Sequence, residues 1–327
     1  MDFINSYKNQ LLSINKQTFS ENALKLFRFQ VNKNFGYKSF VEKLNIPIAT
    51  ITSLEKIPFL PVSLFKSHKI LLNDYETENY FSSSGTTGSV RSMHYVPDME
   101  LYAKVVHAIF RNFYTDLKQS VILALLPSYL ENPHSSLIFM IKAFIASSND
   151  PLSGFVKDTS DLLQKVKAGQ KKGKKVYLFG VSYALMDLAE EKADLAGVTV
   201  IETGGMKGRR KEITREGLHA ILKKGLNVSE ISSEYGMTEL LSQAYTLGDS
   251  IFRIPPWMHV STREINDPFA DNSGQRTGIL KIIDLANIYS CAFIETEDLG
   301  FITQEGFQVL GRLDNTELRG CNLMYNA

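Results

Sequence analysis

The pattern of apolar and polar positions predicts a chain built mainly from alternating helices and strands. Residues 3 to about 46 place Leu24, Leu26, Phe27 and Val31 at mixed three- and four-residue spacing, a helical signature. Glu21 and Asn22 open one of these helices, and Gly36 is expected to interrupt the pattern before Phe40, Val41 and Leu44. No chemistry is visible there, and a packing or lid role is expected. Two prolines in Ile57-Pro58-Phe59-Leu60-Pro61-Val62 enforce an extended path. A helix is expected over 99–114 and a buried strand over 121–126, stopped by Pro127. A polar patch over 127–136 then opens another apolar helix.

The clearest unit lies between 176 and 202. A strand over 176–181, an N-cap at Ser182, a helix over 183–196 stopped by Gly197, and a strand over 198–201 make a parallel βαβ unit. A helix over 215–224 and a strand over 227–232 follow. Strands are expected over 278–283 and 291–295, and a hairpin joins 300–303 to 307–310 through Gln304-Glu305-Gly306. The expected fold class is α/β, with a mixed or parallel βαβ sheet core and a β-rich C-terminal part. The expected divisions are a helical N-terminal subdomain (1–56), an α/β nucleotide-binding core (57–250) and a β-rich part of the same domain (251–327).

Composition narrows the function classes. The chain has 327 residues, 44% hydrophobic and 22% charged, as in ordinary globular proteins. Its net charge of +1 supplies no field for nucleic acid or anionic lipid. The N-terminus carries no signal-peptide pattern, and no window reads as a membrane span. Two cysteines, Cys291 and Cys321, argue against a disulfide framework, so a cytoplasmic protein is expected. Cys291 sits in a strand pattern and reads as core. His68, His94, His107, His219 and His259 show no metal-ligand spacing.

Candidate chemistry concentrates in loops. Ser82-Ser83-Ser84-Gly85-Thr86-Thr87-Gly88 packs five hydroxyls and two glycines into seven residues, and Arg91 follows. Such a loop buries no apolar surface, but glycines let backbone N–H groups approach an anion and the hydroxyls add donors. The spacing is not that of a Walker loop, which needs four residues between its glycines and then Lys-Ser/Thr. A second glycine loop, Thr203-Gly204-Gly205, follows a strand, where open α/β sheets bind ligands. Glu239 follows another strand and suits Mg²⁺ coordination completed by phosphates. Asp298 suits hydrogen bonds from ribose hydroxyls. Together these loops suggest a nucleotide with a metal.

The ordered set Ser82 to Gly88, Tyr235-Gly236-Met237-Thr238-Glu239, Thr296-Glu297-Asp298-Leu299-Gly300 and Gly311-Arg312-Leu313-Asp314 resembles the adenylate-forming enzymes. Ile57-Pro58-Phe59-Leu60-Pro61, Pro127-Ser128-Tyr129-Leu130-Glu131, Thr203-Gly204-Gly205 and Arg319-Gly320-Cys321-Asn322-Leu323 sharpen it. These look like the bacterial acyl-protein synthetases, the fatty-acid-activating components of luciferase-linked fatty acid reductases. The likeness runs from about residue 57 to the end.

The resemblance implies the large domain of adenylate-forming enzymes and ATP-dependent activation of a carboxylic, expectedly fatty, acid to an acyl-adenylate, followed by transfer to a thiol. It implies ATP and Mg²⁺ as cofactors. Ser83, Ser84, Gly85, Thr86, Thr87 and Gly88 would cradle phosphates, with Arg91 keeping the charge of the Pro-Lys pair that most family loops carry. Gly204 and Gly205 would flank adenine, Tyr235 and Gly236 would bind it by stacking and close approach, and Asp298 and Arg312 would hold the ribose. Thr238 and Glu239 would reach the α-phosphate and the metal. Cys321, with Arg319 favouring its thiolate, would accept the acyl group. The acceptor stays open between an acyl-reductase partner, an acyl-carrier protein and CoA, and a non-catalytic nucleotide- or acyl-binding subunit is the alternative outside enzymes. Only 16 residues follow Gly311, so the mobile C-terminal domain of many relatives is expected to be absent.

Overall fold

A computed structural model describes residues 3–83, 90–127, 132–204, 213–267 and 277–313. The chain opens with α1 (Phe3–Leu11), α2 (Phe19–Lys33) and α3 (Phe35–Lys43). The expected break at Gly36 falls at Asn34 instead. Its extended backbone (φ −117°, ψ 108°) separates α2 from α3, and its side chain accepts from Tyr37 N to cap the second helix. Gly36 is inside α3, where a Cβ would stand 3.0 Å from Ile70 Cδ1.

Beyond β1 (Leu60–Pro61) and the paired strands β2 (Tyr80–Ser82) and β3 (Met93–Tyr95), helices and strands alternate. These are α4 (Met99–Phe113), β4 (Ser120–Leu125), α5 (Ser136–Ser148), β5 (Gly154–Phe155), α6 (Thr159–Lys171) and β6 (Lys175–Gly180). Then come α7 (Ser182–Glu190), β7 (Val198–Glu202), α8 (Arg215–Leu226), β8 (Ile231–Tyr235) and β9 (Ala244–Tyr245). Their sheet has the order β5-β4-β6-β7-β8-β9, parallel except for β9. The apolar strands are buried on both faces, as parallel sheets require. Ile122 and Phe179 face α4 and α5 through Phe110 and Phe144, while Val121, Leu178 and Val200 face the cluster that includes Leu162, Leu185 and Leu222.

The last third forms a second sheet from β10 (Met258–Arg263), β11 (Gly278–Asp284), β12 (Phe293–Ile302) and β13 (Phe307–Arg312). Its order is β1-β12-β11-β10, with β13 on β12; β1 is parallel to β12 and the other pairs are antiparallel. Phe252 joins the two sheets, because it bridges Phe307 while its neighbour Arg253 bridges Tyr245.

Four sequence expectations change. Helix α7 stops at Glu190 rather than 196: Lys192 adopts φ 53° and Leu195 N donates to Leu226 O, so packing against the end of α8 outcompetes another helical turn. Gly197 (φ 77°) turns the chain into β7 instead. Strand β8 begins at Ile231, because Asn227 is the left-handed cap of α8, and it runs through Glu234 and Tyr235. The expected strands at 291–295 and 300–303 are one, β12, which carries Thr296 to Gly300 on a strand rather than in a loop. Strand β10 was not expected, although its alternating burial was legible in Met-His-Val-Ser-Thr-Arg.

Buried polar groups tie these layers together. Gln30 of α2 donates to the carbonyls of Asn287 and Ile288 and accepts from Ala292 N, and Asn34 donates to Ser290 O. Asp284, fully buried at the end of β11, accepts from Leu241 N, Ser242 N, Ser242 Oγ and Ala286 N at 2.7–3.1 Å. Burial pushes its carboxyl up, and these four donors oppose the shift. Asp284→Ala leaves three backbone donors unpaired and is expected to cost roughly 3 kcal/mol or more. Urea unfolding of the two proteins checks this; an unchanged midpoint would refute the role given to Asp284.

Candidate active site

A cleft of about 580 Å³ opens where the parallel strands β7 and β8 end, against the middle of β12 and the end of β13. Tyr235, the last residue of β8, sets its centre. Its ring meets Phe307 edge-on at 5.3 Å and Phe252 at 5.6 Å, so the bridge between the sheets also fixes the tyrosine. Its hydroxyl donates to Asp298 Oδ2 at 2.7 Å. Burial and the adjacent Asp298 raise the phenol well above its ordinary value, keeping it a neutral donor.

Asp298 stands on β12 opposite Arg312 on β13. Arg312 pairs with Glu297 at 2.7 Å. Burial works against the guanidinium charge, and Glu297, Asp298 and Glu239 outweigh it, raising its pKa. The antiparallel pairing thus delivers one cation and two carboxylates to the same wall.

The segment after β8 is held from behind. His94 of β3 donates from Nδ1 to Thr238 O at 2.8 Å, and its Nε2 lies 3.0 Å from Asn287 Oδ1. Asn287 Nδ2 in turn donates to Glu239 O and Cys291 O. Glu239 is buried, and that burial raises its carboxyl pKa against the Ser92 hydroxyl, Arg312 and Lys66. Ser83 and Ser92 clasp each other across the two edges of the hydroxyl-rich loop: Ser83 N donates to Ser92 O, and Ser92 N to Ser83 Oγ.

Ser83, Tyr235, Gly236, Thr238, Glu239, Asp298 and Arg312 therefore line one cleft. Gly204 stands beside it at the end of β7 with φ 77°; its N donates to Glu202 Oε1 and its carbonyl accepts from Ser182 N. A Cβ there would meet nothing within 4 Å, so the backbone conformation, not space, calls for glycine. Arg91 is exposed and does not line the cleft among the described residues; its neighbour Ser92 does. Ser84, Gly85, Thr86, Thr87, Gly88, Gly205 and Cys321 lie outside the described residues. Cys291 is core: it is fully buried, with its thiol donating to Phe293 O and pushed up to about 12 by burial.

Sequence reasoning missed Lys66, Ser92, Glu234, Gln243 and Glu297 on the cleft wall, and His94 and Asn287 behind it. Lys66 follows the Pro-rich segment and Glu297 lies within a motif, so proximity to those motifs was an available signal. His94 and Asn287 had none, because they act through backbone carbonyls distant in sequence.

The chain matches no protein-family model. The long-chain-fatty-acid–luciferin-component ligase of Vibrio harveyi is 21% identical over 347 residues, covering 98% of this chain and 90% of that protein. A 2-hydroxyisobutyryl-CoA ligase solved with 2-HIB-AMP and CoA in the thioesterification state superposes with TM-score 0.65 at 13% identity. The match spans 96% of this chain and 70% of that one. Its open conformation gives 0.63 at 11% identity, over 90% and 69%. The chain has the fold of the adenylate-forming ligases. Within this adenylate-forming fold the cleft lies at the junction of the two sheets, and no described helix is long and apolar enough to cross a membrane.

The His94 contacts generate a pH dependence. Burial lowers its pKa from 6.5 to about 4, against the pull of Thr238 O and Asn287. The unfolded chain therefore binds a proton between these values that the folded chain does not, and this contribution to stability is lost as pH falls from about 6.5 towards 4. The loss is up to about 3 kcal/mol. The melting temperature of wild type should fall more steeply over that range than that of His94→Asn. Parallel pH profiles would refute this assignment.

Proposed function

We propose that this protein activates a carboxylic acid with ATP, forming an acyl-adenylate and pyrophosphate, and then transfers the acyl group to a thiol. The observation that carries the reading is the convergence of Tyr235, Thr238, Glu239, Asp298 and Arg312 on one cleft of an adenylate-forming fold. A carboxylate oxygen attacks the α-phosphorus, the bond to the β-phosphate oxygen breaks, and pyrophosphate leaves. A thiolate then attacks the acyl carbon, and AMP leaves with the former carboxylate oxygen. Such chemistry asks mainly for positioned donors and charge stabilisation.

Asp298 and Arg312 would hold the ribose, Tyr235 the base, Ser83 with the loop through Gly88 the phosphates, and Thr238 the α-phosphate. Lys66 adds a cation near Glu239. Glu239 fits a single-carboxylate Mg²⁺ site: it is buried, and among the described residues no cation pairs with it at ion-pair distance. A bound Mg²⁺ would neutralise phosphate charge. We place the reaction in the cytoplasm.

The name of the Vibrio relative supports a long-chain fatty acid as substrate and a luciferin component as acceptor. On our reading the protein is an acyl-protein synthetase, with Cys321 as acyl carrier and a reductase as partner. The solved neighbours hold CoA, which supports CoA as the alternative acceptor.

Acid-dependent ATP–pyrophosphate exchange tests the reading. Exchange is expected with at least one carboxylic acid, and Glu239→Gln should lower its kcat/KM about 100-fold or more; no exchange with any acid sinks the proposal. Radiolabelled acyl chain should stay on the denatured wild-type protein and vanish in Cys321→Ala. Label that survives the substitution excludes Cys321 as the carrier, and transfer to CoA without protein labelling selects the CoA ligase.

A further inference from the structure

Past Tyr235 the cleft continues towards α4 and α5, where Tyr102, Leu137 and Met140 offer apolar surface suited to a carbon chain, beside Asn132, Ser135 and Ser136. Two further polar side chains border that surface. Glu234 of β8 and Gln243 converge over Gly236: a Cβ on that glycine would stand 2.3 Å from Glu234 Oε1 and 3.4 Å from Gln243 Cγ. The glycine thus keeps open the space that both side chains face.

Neither group has its full set of partners among the described residues. Among the described residues the Glu234 carboxyl makes no hydrogen bond or ion pair, and burial with Glu202 nearby pushes it up to about 8. The amide oxygen of Gln243 is enclosed without a partner, while its nitrogen reaches Tyr102 OH and Leu241 O only at 3.5 Å. An unpaired buried polar atom such as the Gln243 amide oxygen costs about 1–3 kcal/mol unless a ligand completes it, and the half-buried Glu234 carboxyl lines the same cleft. Adenylation has no use for them, since Tyr235, Thr238, Glu239, Asp298 and Arg312 already meet its needs. An unsubstituted alkyl chain would leave both unpaired. What they lack is a donor.

We propose that the activated acid carries a hydrogen-bond donor, a hydroxyl or a protonated amine, on the carbon chain behind its carboxylate, and that Glu234 and Gln243 select it. The inference rests on the adenylation reading above and narrows its substrate class. The donor would bond the Gln243 amide oxygen and the Glu234 carboxyl while the remaining carbons lie against Leu137 and Met140. A hydroxyl suits either protonation state of Glu234; an ammonium draws the carboxyl to its charged form.

The test is ATP–pyrophosphate exchange by the full chain with straight-chain acids of graded length, each unsubstituted or bearing a hydroxyl or an amino group at successive carbons. A donor-bearing acid is expected to exceed its unsubstituted counterpart in kcat/KM by about 100-fold or more. Gln243→Leu, checked for folding by its melting curve, should erase at least about tenfold of that preference. Glu234→Gln should abolish use of an amino acid substrate and spare a hydroxy acid, separating the two sources of the donor. Exchange in which wild type uses unsubstituted acids equally well at every length overturns the inference while leaving adenylation standing, and this arm needs no variant. A Gln243→Leu enzyme that raises KM for ATP with acid preference unchanged assigns the pair to the nucleotide and also overturns it. Silence with every acid removes the adenylation reading itself.

Discussion

The buried carboxylate of Asp284 is the constraint on which the site depends. It sits at the end of a strand in the second sheet, yet its acceptors are filled by the backbone and hydroxyl of Leu241 and Ser242, which follow the last parallel strand of the first sheet. A carboxylate taken out of water is tolerated only when donors surround it, and these donors come from the chain that carries Thr238 and Glu239. Trp257 Nε1 closes the arrangement by donating to Ser242 Oγ. The segment after β8 is therefore held by the opposite sheet, and the two halves of the cleft keep a fixed relation.

The same logic extends outward in steps. Gln30 of α2 satisfies the carbonyls of Asn287 and Ile288, Asn287 satisfies Glu239 O, and His94 satisfies Thr238 O. A helix near the N-terminus thus reaches the site through polar groups alone, with no side chain in the cleft. The N-terminal helices, which read as packing elements, carry part of the support for the residues expected to do chemistry.

Two requirements meet in the cleft. Its β12–β13 wall, with Asp298 and Arg312 in register and Tyr235 bonded across, is polar and suited to a nucleotide. On its α4–α5 side Tyr102, Leu137 and Met140 add apolar surface among Asn132, Ser135, Ser136, Glu234 and Gln243. Gly236 separates the two regions, since a side chain there would displace the Glu234 carboxyl. The Vibrio relative is named for a long-chain fatty acid, whereas this wall holds the unpaired Gln243 amide oxygen beside the Glu234 carboxyl. At 21% identity, a shared fold and a different acid are compatible.

Local sequence determined the parts whose cause is local. The apolar runs of β4, β6 and β7, the hairpin between β12 and β13 and the order of the site motifs were all legible, because hydrophobic periodicity and turn residues act over a few positions. Tertiary structure alone decided the end of α7, where Leu226 O captures Leu195 N, and the merging of two expected strands into β12. It also decided that Ser92 rather than Arg91 faces the cleft, since Ser92 is held by its hydrogen bonds with Ser83. Asp284, Asn287, His94 and Glu234 acquire their roles from partners that are mostly dozens of residues away. No local pattern marks them, because the burial and hydrogen bonds that define each one exist only once the two sheets have met.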